Sequence, residues 1–585
     1  MKKFYFYYLL MLCFIAFASC NPDQIVNPDE PVNPEDTLKP YVPKTEWELA
    51  DSLYTAADYT VPSHTAFKIA QTACAKDPSE ANLQAMRDRI KELVPKEEPY
   101  CMVATINGDP ATRMGFCWFT NDSIFDGEVQ LIANADATKA DFDAGAGVIT
   151  VNAAYKQTKA LRYTGICKYI VANSGMAKNL KYRYISHKAI ATDLTPGTAY
   201  SWRVGYDGHW SDIAHFRTKD ANQGEYSFIY MSDSHIMDPD YINMARRCAL
   251  AAAKTVPEAR FCVFPGDFVE DGTIANSEWE WERWFEEAMQ PVIMQMPIVP
   301  TDGNHDDSDN INYTYHFNTD NWFNKNITLK PQFEGIVYNF VYGDALFLVF
   351  SMQDFWREDY DYNLKTSEYL TDHISYWFRK TVTENPDTKY RISLAHFNLF
   401  SGSDHSTDEE PPLFRACMLP TMKACEIDVA LQGHDHTYEV IGPVNPDNCT
   451  PITEAISDVE TVDIDKEMNI TGKKGGTFIT DDGTFYFIGA TCGRKRYYPH
   501  SRERMEQDYA ADPADLKKGK HDVENYFDLF TGMFGQPGRP SFTKITVKED
   551  CLEFNSYTAD DNKGSVSLIN TMRIKRTKPH SVPQP

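Results

Sequence analysis

Apolar and polar residues alternate with a period of two across residues 98–219. Short strand-like runs follow one another there, and the clearest begin at Thr112, Val129, Lys188 and Ala199. Turn signals separate these runs, of which Thr195-Pro196-Gly197-Thr198 is the strongest. Strands of this length and spacing are typical of an antiparallel β-sandwich. We therefore predict an all-β domain over residues 98–219.

Residues 222–577 show a different pattern, in which continuously apolar runs alternate with stretches of helical spacing. The apolar runs that predict buried strands are 226–231, 260–264, 296–299, 391–396 and 427–431. Helices are predicted over 239–256, 276–289 and 367–383. The second of these carries three tryptophans, which could pack into a core or form a base-stacking platform. This alternation predicts a second domain of the α/β class.

Each of the five apolar runs leads into polar side chains that could bind metal. Those side chains are Asp233, His235, Asp267, Asn304, His396, His434 and His436. Open α/β sheets place their sites at the carboxyl ends of strands, so we expect these side chains to converge. A lone histidine after a strand is commonly a surface residue, but five clusters in this order argue against that interpretation. The mixed oxygen and nitrogen set suits Zn, Mn or Fe. Seven ligands exceed what one ion takes, so we predict two divalent metal ions that share a carboxylate.

The part of the chain before the sandwich has the features of an exported protein. Residues 1–20 have a basic start, an apolar run and small residues before Cys20, which resembles a bacterial lipoprotein signal with Cys20 as the lipidated residue. An ordinary secretory signal cleaved nearby is the alternative. Residues 21–44, rich in Pro, Asp and Asn, predict a disordered tether, and residues 45–97 predict a small helical segment. We expect a cell-envelope protein, lipid-anchored in the outer membrane and facing the periplasm or the surface.

The polar clusters of the second domain resemble the signature of the calcineurin-like metallophosphoesterases. The matching motifs are Asp233-x-His235, Gly266-Asp267, Gly303-Asn304-His305-Asp306, His396 and Gly433-His434-x-His436. The turn at 194–200 and the run at 214–218 resemble a fibronectin type III module, in particular the one that precedes the catalytic domain of purple acid phosphatases. The resemblance spans about residues 100–576. It implies an α/β (α+β) metallophosphoesterase fold, with two packed β-sheets flanked by helices, preceded by a fibronectin type III-like sandwich.

The resemblance also implies how the two ions would be held. The first ion would take Asp233, His235, Asp267 and His436, and the second would take Asp267, Asn304, His396 and His434. Asp267 would bridge the pair. Purple acid phosphatases carry a tyrosine at the position of Glu270 and a glycine at that of His235. We therefore predict a colourless enzyme without an obligatory ferric ion, in which His235 replaces the tyrosine as a ligand.

These features predict an exported two-metal phosphoesterase that hydrolyses phosphate monoesters. A hydroxide bridging the ions would attack phosphorus, and His305 would donate a proton to the departing alkoxide. Asp306 would orient the His305 imidazole or raise its basicity. A phosphodiesterase acting on nucleotides or lipid head groups is the nearer alternative, because the Asp-x-His form of the first motif also occurs among such enzymes. A surface lipoprotein that binds glycans or phosphorylated polymers is the alternative of another class, and the intact ligand set counts against it.

Composition limits the partners of the protein. The formal net charge of −27 disfavours nucleic acid and anionic lipid surfaces, so we expect no nucleic-acid binding and membrane contact only through the lipid anchor. A phosphorylated small-molecule substrate would need positive charge supplied locally. The basic, aromatic loop 492–498 could supply it through Arg494 and Arg496, although a solvated loop that balances nearby acids is the alternative. Of 13 cysteines, 11 lie after residue 20, and an odd number leaves at least one without an intramolecular disulfide partner.

Overall fold

The computed structural model describes the chain from residue 45 to residue 581 with internal gaps. The gaps are 55, 57–58, 95–96, 122–123, 158–161, 164–180, 183, 271, 273–277, 307–310, 321–334, 353–361, 409, 463–469, 506–522 and 524. The predicted signal, Cys20 and the predicted tether lie outside the described residues. Within the described residues, no helix combines the length and apolar character that crossing a membrane requires. The ten cysteines of this part are all free thiols.

Three helices occupy the segment before the sandwich: α1 (Glu46–Leu53), α2 (Val61–Lys76) and α3 (Glu80–Lys91). α1 begins with a capping box, in which the Thr45 backbone N–H donates to Glu48 Oε2 at 2.8 Å. An ion pair of 2.7 Å between Arg87 and Glu46 joins α3 to α1. The ion pair therefore holds the last of the three helices against the first.

The β-sandwich consists of two antiparallel sheets. Its elements are β1 (Tyr100–Thr105), β2 (Met114–Asn121), β3 (Glu128–Ile132), α4 (Lys139–Ala144), β4 (Ile149–Asn152), β5 (Ala154–Gln157), β6 (Arg162–Tyr163), β7 (Lys181–Tyr182), β8 (Tyr184–Ala191), β9 (Ala199–Tyr206), β10 (His209–Trp210) and β11 (Ala214–Arg217). One sheet has the order β1-β2-β8-β5. In the other, β9 pairs with β3, β10 and β11, and β3 pairs with β4. Phe116 of the first sheet packs on Trp202 of the second, with 4.9 Å between ring centroids. The predicted sandwich is confirmed.

The second domain supplies the remaining elements. Its strands are β12 (Tyr226–Tyr230), β13 (Cys262–Pro265), β14 (Ile298–Thr301), β15 (Tyr338–Tyr342), β16 (Ala345–Val349), β17 (Tyr390–Leu394), β18 (Val429–Gln432), β19 (Tyr438–Asn445), β20 (Thr450–Pro451), β21 (Ile456–Thr461), β22 (Ile470–Ile479), β23 (Thr484–Gly489), β24 (Met533–Gly535), β25 (Ser541–Val547), β26 (Leu552–Ala559) and β27 (Val566–Lys575). Its helices are α5 (Pro239–Thr255), α6 (Glu278–Arg283), α7 (Gln290–Ile293), α8 (Ile311–His316), α9 (Tyr362–Glu368), α10 (Ser375–Glu384) and α11 (Glu410–Ala424). π-Helical turns at Trp284–Ala288 and Tyr369–Ile374 extend α6 and α9.

Parallel strands form the middle of two packed sheets. In the first sheet β12, β13 and β14 are parallel, and β25, β26 and β27 continue it as antiparallel strands beside β12. In the second sheet β16, β17, β18 and β23 are parallel, with β15 antiparallel to β16 and β19 antiparallel to β23. Parallel neighbours put their carboxyl ends at the same edge of a sheet. The predicted fold of two packed sheets flanked by helices is confirmed.

Aromatic rings join the two sheets and support the loops above them. Phe228 on β12 meets Phe347 on β16 at 5.4 Å between centroids, and Phe487 on β23 meets Phe554 on β26 at 5.2 Å. The three tryptophans of the α6 segment, Trp279, Trp281 and Trp284, are at most 2% exposed, so they form core packing and not a base-stacking platform.

Buried polar contacts fasten the sandwich to the second domain. The Tyr184 hydroxyl on β8 donates to Glu278 Oε2 on α6 at 2.5 Å, and the Ser186 hydroxyl donates to the Tyr315 carbonyl on α8 at 2.7 Å. β1 also pairs with β14 through a parallel bridge at Thr105 and Ile298. Since β14 leads directly into the Asn304 loop, the sandwich supports one of the strands that present the predicted ligands.

Candidate metal centre

The seven side chains predicted as metal ligands converge above the carboxyl ends of β12, β13, β14, β17 and β18. Four of them have a left-handed backbone, with φ of 59° at Asp233, 47° at His235, 53° at Asp267 and 70° at His434. Residues other than glycine adopt positive φ at an energetic cost, and they keep it where the surrounding structure enforces it, commonly at functional sites. The loops are therefore held in sharp turns that aim their side chains at one place.

Gly266 allows two of these loops to approach each other closely. Its φ is +81°, and a Cβ at this position would lie 2.7 Å from the Gly303 backbone nitrogen and 2.7 Å from His396 Nδ1. Both distances are shorter than van der Waals contact. Glycine is required here so that the loop carrying Asp267 can lie against the loop carrying Asn304.

The first group of ligands consists of Asp233, His235, Asp267 and His436, all of them buried. The Nε2 atoms of His235 and His436 lie 3.0 Å apart. His235 Nε2 is 3.2 Å from Asp267 Oδ2, and His436 Nε2 is 3.5 Å from Asp233 Oδ1. Donor atoms bound to one ion at about 2.0–2.2 Å lie roughly 3–3.6 Å from each other, so this spacing fits a single ion.

The second group consists of Asp267, Asn304, His396 and His434. His396 Nε2 is its central atom, 3.0 Å from Asn304 Oδ1, 3.3 Å from Asp267 Oδ2 and 3.2 Å from His434 Nδ1. The two groups reproduce the two ligand sets that the resemblance implied. Their roles as ligands remain predictions, because the geometry gives only the positions of the side chains.

Asp267 belongs to both groups through one atom. Its Oδ2 lies 3.2 Å from His235 Nε2 and 3.3 Å from His396 Nε2, whereas its Oδ1 accepts a hydrogen bond from the His305 backbone N–H at 3.0 Å. Burial alone would raise the pKa of this carboxyl, but His396, His305 and His235 hold the pKa of Asp267 well below its usual range. Asp267 is thus an ionised carboxylate in the position of a bridging ligand.

The hydrogen-bond partners of the imidazoles indicate that the cluster is built for cations. His396 Nδ1 donates to the Pro265 carbonyl at 2.8 Å, His436 Nδ1 donates to the Lys495 carbonyl at 3.0 Å, and His235 Nδ1 donates to Glu270 Oε2 at 2.7 Å. Each of these contacts leaves the lone pair on Nε2, and the Nε2 atoms face one another and carboxylate oxygens. Asp233 Oδ2 is also buried and has no hydrogen-bond partner. The acceptors in this cluster outnumber the donors, which fits two metal ions, and the oxygen and nitrogen chemistry fits Zn, Mn or Fe.

His305 lies at the mouth of the cluster, and its side chain is 22% exposed. Its Nδ1 donates to the Glu270 carbonyl at 2.7 Å, and its Nε2 lies 3.4 Å from Lys495 Nζ. Burial and the charge of Lys495 lower the pKa of His305 to about 4. The imidazole is therefore neutral near pH 7, with its proton on Nδ1, and Nε2 carries a proton only in the charged form.

The prediction that Asp306 orients His305 is wrong. Asp306 is fully buried, and its carboxylate accepts hydrogen bonds from the backbone N–H groups of Asp267 (2.9 Å), Phe268 (2.7 Å) and Gly303 (2.7 Å). The Glu270 carbonyl takes the orienting role at His305 Nδ1. Asp306 instead ties the loop that carries Asp267 to the loop that carries Asn304, because a carboxylate can accept several backbone donors at once.

Two residues that the sequence analysis did not place in the site lie beside it. Glu270, at the position of the purple acid phosphatase tyrosine, binds His235 and lies 3.4 Å from Lys495 Nζ. Lys495 lies between the two residues predicted to bind substrate, and its carbonyl holds His436. The sequence signal for Lys495 was its place after β23, whose carboxyl end lies beside that of β18.

The structure directs Arg494 away from the ligand cluster, contrary to the prediction. Its guanidinium lies 3.5 Å from Asp240 on α5 and over the Tyr241 ring, 5.6 Å from the ring centroid. Arg496 is partly buried in the same loop. Its role in substrate binding remains a prediction.

A second imidazole stands near the ligands of the second group. The His405 ring stacks on the His434 ring at 3.9 Å, and its Nδ1 lies 2.7 Å from Asp408 Oδ2. On the other side, the Tyr497 ring stacks on His436 at 4.3 Å. The structure thus brings the loop of His405 against a predicted ligand.

Comparisons with known proteins agree with this geometry. Residues 99–218 match the family model described as "Purple acid Phosphatase, N-terminal domain", and residues 226–438 match "Calcineurin-like phosphoesterase". The structure of a purple acid phosphatase from yellow lupin (Lupinus luteus) seeds is similar in fold, with a TM-score of 0.52 at 12% identity, covering 82% of this chain and 75% of that chain. The structure titled PhoD has a TM-score of 0.47 at 11% identity, covering 83% and 93%. No curated protein gives a significant match.

Proposed function

We propose that this chain, a phosphoester hydrolase, acts on phosphate monoesters. Its residues 226–438 match the calcineurin-like phosphoesterases and its residues 99–218 match the purple acid phosphatase N-terminal domain. The observation that carries the proposal is the position of Asp267 Oδ2, between His235 Nε2 at 3.2 Å and His396 Nε2 at 3.3 Å. A carboxylate shared in this way suits a pair of ions that act on one phosphoryl group. The matched N-terminal domain, which is named for a phosphatase, favours a monoester over a diester.

The chain contributes ligands, orientation and a proton. Asp233, His235 and His436 would hold one ion, Asn304, His396 and His434 the other, and Asp267 both. Such a pair supplies Lewis-acid charge and lowers the pKa of bound water. Carbonyl and carboxylate partners fix the imidazole rings, which keeps the ligand atoms in place before substrate arrives.

His305 is the residue that we propose for proton transfer to the departing oxygen. Its Nδ1 donates to the Glu270 carbonyl at 2.7 Å, so Nε2 is the ring nitrogen left to act on a substrate. In the protonated form of the ring, Nε2–H would donate to the leaving alkoxide. The backbone N–H of the same residue holds Asp267 Oδ1 at 3.0 Å, which couples the position of the ring to that of the shared carboxylate.

We also propose that residues 1–20 export the chain and that Cys20 carries its lipid anchor. The basic start, the apolar run and the small residues before Cys20 support this proposal. Fractionation of cells that make the full chain, with and without Cys20→Ala, tests it. A lipoprotein should follow the membrane fraction only when Cys20 is present.

The test of the function is hydrolysis by purified protein, stripped of metal and reloaded with Zn, Mn or Fe. p-Nitrophenyl phosphate and bis-p-nitrophenyl phosphate serve as the monoester and the diester. We expect faster, metal-dependent turnover of the monoester. A preference for the diester would replace the proposal with a phosphodiesterase. If two ions bind and neither compound is hydrolysed, the proposal is contradicted and a binding lipoprotein becomes the better description.

A further inference from the structure

We propose that Lys495 is an anion-binding residue that makes this centre favour a phosphate monoester dianion over a diester monoanion. The inference rests on the proposed function, because it assigns a substrate charge to the same site. Neither the ligand set nor the family resemblance assigns a role to this lysine. The proposal rests on the position of Lys495, its contacts and the charges around it.

The side chain of Lys495 reaches the edge of the first ligand group. Its Nζ lies 3.4 Å from each carboxylate oxygen of Glu270 and 3.4 Å from His305 Nε2. Glu270 is bound to the predicted ligand His235, and the Lys495 carbonyl is bound to the predicted ligand His436. The ammonium is therefore beside the place where a substrate bound to the ions would expose its oxygens.

The ammonium is held loosely compared with other lysines of the chain. Charge-assisted N–H···O bonds are usually about 2.7–2.9 Å long, and all three contacts of Lys495 Nζ are longer. By contrast, Lys544 Nζ lies 2.5 Å from Glu258 and Lys423 Nζ lies 2.6 Å from Asp447. The Lys495 side chain is 22% exposed, so its charge is shielded from water but reachable. A loosely held ammonium can turn a hydrogen toward an incoming anion at little cost.

The negative charge of Glu270 creates a need for the Lys495 ammonium. Its carboxylate is only 12% exposed and adds a negative charge next to the two ligand carboxylates of the centre. That charge repels a bound phosphate, and the repulsion is about twice as large for a dianion as for a monoanion, since Coulomb energy scales with charge. Lys495 offsets Glu270 and adds a donor for a non-bridging oxygen. Its removal should therefore penalise the monoester more than the diester.

Lys495→Gln tests the proposal, with Lys495→Arg and Lys544→Gln as controls. Lys544→Gln removes another partly exposed lysine that is paired with a glutamate, far along the chain from the loop. The assays use metal-loaded full-length protein near pH 8, where monoesters are dianions because their second pKa is about 6. The measurements are kcat/KM for p-nitrophenyl phosphate and bis-p-nitrophenyl phosphate, the Kd of inorganic phosphate by calorimetry, and bound metal by mass spectrometry.

We expect Lys495→Gln to lower kcat/KM for the monoester on the order of 10- to 100-fold, as for loss of a charged hydrogen bond. Diester hydrolysis should change less than about threefold, phosphate should bind at least about tenfold more weakly, and two ions per chain should remain. Lys495→Arg should keep most of the monoester preference, and Lys544→Gln should match the wild type.

Three results would overturn the inference: equal losses on both esters, unchanged phosphate affinity, or loss of bound metal in Lys495→Gln. The last would mean that the side chain supports the ligand shell and not the substrate. A wild-type enzyme that prefers the diester would instead contradict the proposed function. The two failures are therefore distinguishable.

Discussion

Strand β18 carries a buried cluster of aspartate and histidine at each of its ends, and the two clusters differ in a useful way. Asp428 immediately precedes the strand, and His434 and His436 follow it. At the Asp428 end every carboxylate oxygen has donors. Oδ1 accepts from the Thr480 hydroxyl at 2.8 Å and from Arg576 at 3.2 Å. Oδ2 accepts from the Arg391 backbone N–H at 2.8 Å, and His580 Nε2 lies 2.9 Å from it.

The cluster at the other end of β18 has the same residue types, but there the hydrogen-bond acceptors outnumber the donors. Imidazole nitrogens that have already used their proton on a carbonyl or carboxylate face more acceptors, as His235 and His436 do at 3.0 Å. Asp233 Oδ2 is buried without any partner.

Residue type alone therefore does not identify a metal centre. The balance of hydrogen-bond donors and acceptors around the residues does. A buried aspartate beside a histidine is a structural network when protons suffice for every acceptor. It is a cation site when they do not. The Asp428 cluster fastens the chain near its carboxyl terminus to β18, whereas we expect the Asp267 cluster to be complete only with metal.

The largest expected effect comes from Asp267→Asn. The amide keeps an oxygen for the His305 N–H but loses the charge shared by both ligand groups. We expect turnover to fall at least about 10³-fold, because stabilisation of charge by the metal pair is worth several kcal/mol in the transition state. Steady-state kinetics on p-nitrophenyl phosphate and metal analysis by mass spectrometry measure the change.

Melting of the same variant with and without chelator distinguishes a metal site from a structural network. Without metal the imidazoles of His396, His305 and His235 stabilise the ionised Asp267, as its lowered pKa shows, so we expect metal-free Asp267→Asn to melt below the metal-free wild type. Added metal should raise the melting temperature of the wild type more than that of the variant, because only the wild type keeps the shared carboxylate. Two bound ions with nearly normal turnover would show that Asp267 is not the shared ligand. Equal rises in melting temperature when metal is added to the wild type and to Asp267→Asn would show that the cluster is a structural network after all.

The second-largest expected effect is a loss of stability without a loss of turnover, and it comes from Asp428→Asn. An amide presents one acceptor and one donor, so it leaves some of Arg576, His580 and the Arg391 N–H without a partner. We expect the free energy of unfolding to fall by about 3–5 kcal/mol, the usual cost of breaking a buried charged pair. Turnover per folded molecule and metal content should not change. Urea denaturation measures the free energy of unfolding, and the kinetic assay measures turnover.

Asp447→Asn is the matched control for that substitution. Asp447 pairs with Lys423 at 2.6 Å on the surface, where both side chains are more than half exposed, so its loss should change stability by less than about 0.5 kcal/mol. If Asp428→Asn were no more harmful than Asp447→Asn, the contrast between the two ends of β18 would have no energetic basis.

The convergence of the ligands could be predicted from the sequence, because strand periodicity and parallel topology together determine where strand ends meet. Predicted and observed bounds are close for elements with strong patterns, such as α5, predicted over 239–256 and observed at Pro239–Thr255. The π-helical turns after α6 and α9 were not predicted, since a π turn keeps the apolar spacing of a helix almost unchanged.

Side-chain directions in loops could not be predicted in the same way. Arg494, Lys495 and Arg496 are equivalent by charge, yet Arg494 points to α5 and Lys495 to the ligand groups. Asp306 follows His305 in the chain but binds backbone N–H groups of other loops. Periodicity assigns a face only to residues in regular elements, so these roles depend on contacts that are distant in sequence.

A third buried histidine separates the effect of burial from that of a carboxylate partner. His187 in the sandwich stacks on Trp118, its Nε2 lies 2.7 Å from the Thr120 hydroxyl, and its Nδ1 has no hydrogen-bond partner. It lies in the sandwich and belongs to neither ligand group. Burial lowers the pKa of His187 from the usual histidine value of about 6.5 to about 4.

The smallest predicted effect is a pH dependence of stability due to His187. Between pH 6.5 and pH 4 the unfolded chain binds a proton at this residue and the folded chain resists it, so stability rises with pH and is lost on acidification. We expect this one residue to account for about 2 kcal/mol of the stability lost between pH 6 and pH 4. Urea denaturation in chelator, compared between the wild type and His187→Gln, measures it, since titration of the ligand cluster is common to both. Thr120→Val keeps the imidazole and removes its partner, so it should keep the wild-type slope. Equal slopes for His187→Gln and the wild type would mean that the ligand carboxylates and imidazoles, and not burial in the sandwich, determine the acid sensitivity of the fold.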